Sequence, residues 1–133
     1  MNKKKQIVNV VRYWWKRSED SIKSAEREIN ARDFRFAINR LYYLLFYAVS
    51  AALLERNQDF KKHSGVRSAF HREFVKKNLL DKKLGKLYDQ LFENRQEGDY
   101  IALLDFDELY VKEKLNNCKI FLDKLRSLIK SLK

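Results

Sequence analysis

The residues best equipped for chemistry in this 133-residue chain lie where an apolar helical pattern runs out, in the stretch LFENRQEGDY from Leu91 to Tyr100. Arg95 carries a permanent charge and five N–H donors in a planar fork, which suits it to gripping phosphate or carboxylate. Gly98 is able to take the left-handed backbone that closes a helix, and Asp99 and Tyr100 follow with an acceptor and a hydroxyl. A plainer reading stands beside this one. An arginine before a helix-ending glycine also caps free carbonyls or forms a surface ion pair.

Two further groups have the same potential. His63, Arg67 and His71 stand at four-residue intervals, so a helix would align them on one stripe, where they could line an anion pocket. A cation between two histidines with no acidic ligand makes a poor metal site, and no metal or cofactor is expected. The alternative is that Ser64 is a helix N-cap, with His63 fixing the loop before it and His71 on the surface. On a neighbouring apolar segment, Arg40, Tyr43 and Tyr47 share a helical face. An arginine there needs a carboxylate, a tyrosine hydroxyl or a bound phosphate, and Asp99 is a candidate partner. The tyrosines fit core aromatics with hydroxyls at the rim, with base stacking as the competing role.

Positioning these groups requires helices. The chain has no proline and only three glycines, and no alternating strand pattern competes. Ile7, Val11, Trp14, Ser18, Ile22, Ala25 and Ile29 recur at three- and four-residue steps. A turn at residues 31–33 leads to a central helix over 34–54, apolar nearly all round and with more apolar circumference than one small bundle covers, which leaves dimerisation open. A third helix follows Ser64 to about Asn78, with Val66, Phe70, Phe74 and Leu79 inward. A fourth spans about Asp81 to Arg95. The fifth carries a heptad-like seam of Val111, Leu115, Cys118, Leu122, Leu125, Ile129 and Leu132. The prediction is one all-α domain over residues 1–133, an antiparallel up-and-down bundle of four to five helices.

Composition narrows the setting. The net charge of +11 invites nucleic acid, yet the lysines are dispersed and no collecting motif gathers them, so a solvated basic surface is the competing reading. A single cysteine, Cys118, excludes an internal disulfide and a thiolate metal cluster. The basic N-terminus lacks a secretory h-region, and the uncharged run from Leu41 to Leu54 is shorter than a bilayer span. A cytoplasmic protein with no membrane partner is expected.

Three segments in register, RLYYLLFYAVSAALL from Arg40, KHSGVRSAFHREFV from Lys62 and GKLYDQLFENRQEGDY from Gly85, resemble the HEPN family over about Phe34 to Leu125. The resemblance implies a helical bundle that dimerises, and a protein often encoded beside a minimal nucleotidyltransferase as a toxin–antitoxin pair. Several members are metal-independent endoribonucleases whose motif is an arginine followed, after four to six residues, by a histidine. Arg95 matches that arginine, whereas Tyr100 stands in the histidine's place. A tyrosine of pKa about 10 donates hydrogen bonds rather than exchanging protons near neutrality. Ala102 occupies the position at which some family toxins carry a tyrosine modified by their partner. The expectation is therefore a homodimeric partner of a minimal nucleotidyltransferase that receives a nucleotide or RNA phosphate near Arg95, Asp99 and Tyr100. Two alternatives compete with it: a metal-independent ribonuclease using Arg95 with His63 or His71, and a non-catalytic dimerisation module.

Overall fold

The computed structural model describes residues 3–96 and 106–133. Among them are five α-helices: α1 (Lys3–Asn30), α2 (Phe34–Glu55), α3 (His63–Phe70), α4 (Lys82–Gln96) and α5 (Glu108–Arg126). No strand occurs among the described residues, and the bundle is all-α and up-and-down as the pattern predicts.

The nearly unbroken apolar run makes α2 the core helix. Its Ile38, Leu41, Tyr42, Leu44, Leu45 and Leu53 are fully buried or within 1% of it, and α2 touches each of the other four helices. At 22 residues it is long and apolar enough to cross a bilayer, which the shorter run Leu41–Leu54 did not suggest, but most of its apolar length is covered by the bundle. The α1–α2 hairpin closes with Arg32 in the left-handed region (φ 60°) and with the Asp33 side chain accepting from Phe36 N at 3.4 Å. Ser18 donates to Leu44 O at 2.7 Å and ties the two helices at mid-length.

Three boundaries differ from the sequence reading. Ser64 is not the cap of α3. The helix begins at His63, after Lys62 in extended backbone with no side-chain cap, and this puts His63 on the helix rather than in the loop. The third helix also stops short of Asn78, because a π-helical turn over His71–Val75 follows α3. Its i→i+5 bond, Lys76 N to His71 O at 2.8 Å, adds a residue to the turn. Leu80 rather than Leu79 then packs inward, at 5% against 41% exposure. Finally, α5 ends at Arg126 and a 3-10 turn over Lys130–Leu132 replaces the last of the seam. Glu55 accounts for this, accepting from Lys130 N at 3.0 Å and Ser131 Oγ at 2.8 Å.

Candidate phosphate site at the end of α4

Along α4, Leu84, Leu87, Tyr88, Leu91 and Phe92 bury one face against the core. Arg95 lies one turn beyond Phe92, so the anchored stripe carries it over α2. There its guanidinium stands 5.3 Å from the Tyr42 ring centroid and 5.6 Å from that of Tyr43. No carboxylate lies within ion-pair distance of Arg95 among the described residues.

The start of α3 delivers His63 to the same place. Its ring stacks on Phe46 at 4.2 Å and 12°, and Nδ1 lies 2.7 Å from the Tyr42 hydroxyl. Either tautomer satisfies that contact: the phenol donates to Nδ1, or Nδ1–H donates to the phenol oxygen. Burial lowers the His63 pKa, and the positive charge of Arg95 lowers it further, so the imidazole is neutral at pH 7. Tyr42 is fully buried. Burial pushes its phenol up to about 12, with Arg95 pulling the other way, so it remains neutral. Behind it, the buried Tyr88 hydroxyl makes no hydrogen bond of regular geometry.

The stripe of His63, Arg67 and His71 is real but divides between two environments. Arg67 Nε donates to Asp89 Oδ1 at 2.8 Å, and His71 Nε2 lies 2.9 Å from the same oxygen. Arg67 also stands 3.6 Å from Glu93 and 4.6 Å from the Phe92 ring. His71 is thus a half-buried partner of Asp89 rather than a free surface side chain. Only His63 joins Arg95.

Arg40 is half-buried, donates to Asn39 Oδ1 at 2.9 Å and stands 5.8 Å from the Tyr43 ring. Tyr43 and Tyr47 are half-exposed, 5.8 Å apart. Gly98, Asp99, Tyr100 and Ala102 lie outside the described residues, and with them the proposed pairing of Asp99 to Arg40. Among the described residues no three His, Cys, Asp or Glu side chains cluster to hold a metal ion. Nothing in the sequence marks Tyr42 as a site residue, because it reads as core, whereas its neighbour Tyr43 shares a helical face with Arg40.

An arginine with no carboxylate partner among the described residues and a neutral histidine thus meet on one tyrosine at the end of an all-helical bundle, and the HEPN domain model matches residues 11–128 of the chain. The chain belongs to the HEPN family. This HEPN protein is 43% identical over 133 residues to the UPF0332 protein of Thermotoga maritima, with 100% of this chain and 98% of that one covered. It is 36% identical over 110 residues to a Methanocaldococcus jannaschii protein named "Putative toxin MJ0142", covering 83% of this chain and 75% of that one. A second protein of that organism, "Putative toxin MJ0605", is 24% identical over 115 residues, covering 86% and 85%.

Proposed function

We propose that this HEPN protein is the toxin-type, homodimeric member of a pair with a minimal nucleotidyltransferase, and that its Arg95 end receives a nucleotide or RNA phosphate. The observation that carries this reading is Arg95 itself, a half-buried guanidinium resting on two tyrosine rings with no acid to neutralise it among the described residues. Rings hold the plane of such a cation while leaving its N–H edge free, the arrangement that receives a phosphate through charge-assisted hydrogen bonds. His63 adds a neutral imidazole on the same tyrosine, Tyr42, and the likeness to two relatives named as putative toxins supports the toxin-type reading. Titration of the full chain with a labelled RNA at low salt tests the site: Arg95→Ala loses affinity, and unchanged affinity removes the proposal.

A second reading, endoribonuclease, is favoured by one placement, His63 and Arg95 both on Tyr42. If Nδ1–H donates to Tyr42, the Nε2 lone pair is free. It would take the proton of a 2′-hydroxyl as that oxygen bonds to phosphorus. The bond from phosphorus to the 5′ oxygen then breaks, the leaving oxygen taking a proton from water, while Arg95 bears the charge on the equatorial oxygens. This reading expects RNA cleavage in excess chelator that is lost in Arg95→Ala and His63→Gln and retained in His71→Gln. Intact RNA with wild-type protein leaves the binding function alone.

A further inference from the structure

The rings around Arg95 continue away from the site. Tyr43 leads to Tyr47, and Tyr47 lies 5.5 Å from Trp14 of α1, so half-exposed rings form one band from the end of α4 across α2 to α1. Three arginines lie on it. Arg95 and Arg40 flank Tyr43. Arg17 stands 4.5 Å from the Tyr47 ring and 5.3 Å from Trp14, and its Nη2 donates to the Tyr47 hydroxyl at 3.1 Å. None of the three has a carboxylate within ion-pair distance among the described residues, whereas Arg32, Arg67 and Arg72 each do.

A row of guanidiniums laid on partly open rings, with no acid paired to them among the described residues, is suited to one kind of polymer. The cations match a repeating phosphate, and the ring faces accept bases that are not already stacked in a duplex. Tyr43 and Tyr47 are one helical turn apart, so successive cation sites advance by about 6 Å along α2. We infer that the band formed by Trp14, Arg17, Tyr47, Tyr43, Arg40 and Arg95 is a track for single-stranded nucleic acid, leading the strand away from the Arg95 phosphate site. The inference rests on the proposed function for its Arg95 end and adds the Arg17 end.

Trp14 provides the reporter, because Trp15 is buried at 3% exposure and gives a steady background. The full chain is titrated with oligo(U), oligo(dT) and a duplex of equal length while tryptophan emission is followed, and labelled-strand anisotropy gives affinities for the variants. The track predicts quenching by either single strand but not by duplex. Trp14→Leu weakens binding by about 5- to 150-fold, the loss of one stacked base. Arg17→Gln lowers the slope of log K against log salt by about 0.7, one released counterion on a single strand. Equal binding of duplex overturns the track. An unchanged slope in Arg17→Gln, with affinity still lost in Arg95→Ala, overturns it while leaving the phosphate site standing. If Trp14→Leu instead dissociates a dimer in sedimentation and leaves strand affinity intact, the band is an interface between copies and the track is wrong.

Discussion

Two arginine–histidine groups occupy the α3–α4 side of this bundle, built from the same residue types with opposite outcomes. Arg67 and His71 converge on Asp89, with Glu93 near Arg67. Arg95 and His63 converge on Tyr42 instead. The carboxylate decides the difference: with Asp89 between them the first pair neutralises its own charge and clamps two helices, and an incoming anion would have to displace an internal one. With no carboxylate facing it among the described residues, the second pair keeps a net positive charge at a half-open surface. Position on helices therefore distinguishes the two groups less than the identity of the residue facing them.

The comparison is broken most directly by truncating each arginine. Arg95→Ala is expected to weaken binding of a short RNA about 10- to 100-fold at low salt, as one charge-assisted contact is worth roughly 1.5–3 kcal/mol. Its urea midpoint should scarcely move. Arg67→Ala is expected to do the reverse, leaving affinity within about twofold while costing roughly 1 kcal/mol of stability through the lost Asp89 pair and Phe92 contact. Parallel denaturation and anisotropy measurements on the two variants separate these outcomes. Equal effects would mean that the two groups are not functionally distinct.

Asp89→Asn sharpens the same point from the other side. It keeps the shape and removes the charge that holds Arg67 and His71, and a loss of about 1–2 kcal/mol in urea unfolding is expected, because a partly buried cation loses its partner. RNA affinity should rise or stay level as a second cation becomes available to anions. A fall in affinity would show that Asp89 serves the binding site.

The helices were legible in the sequence because burial follows periodicity: the seam of Val111, Leu115, Cys118, Leu122 and Leu125 is buried as its spacing predicts. What failed was local hydrogen bonding that periodicity does not encode. Ser64 has the chemistry of an N-cap, yet α3 starts one residue earlier. Glu55, 75 residues before Lys130, replaces the end of the fifth helix with a docked turn. The site was half legible. Arg95 and His63 were identified separately, since each has a distinctive side chain, whereas their meeting depends on the α2 ring of Tyr42, which reads as one more core aromatic. Arg17 gives no signal, because a lone arginine on an amphipathic helix looks solvated until its guanidinium is seen over the Trp14 and Tyr47 rings.

The smallest expected effect is also the one that tests the charge argument internally. Burial and Arg95 lower the pKa of His63, so between that value and the ordinary imidazole value of about 6.5 the unfolded chain binds a proton that the folded chain refuses. His63 thus contributes stability that is present above about pH 6.5 and is lost as pH falls through its folded pKa. Arg95→Ala removes one cause of the shift, and the His63 resonance in a proton NMR titration should move toward the ordinary value while still falling short of it, because burial remains the larger cause. Bound phosphate should move it the same way, by offsetting the guanidinium charge and favouring the protonated ring. A His63 titration indifferent both to Arg95→Ala and to phosphate would mean that the two side chains share no field, and the contrast with the Asp89 clamp would lose its electrostatic basis.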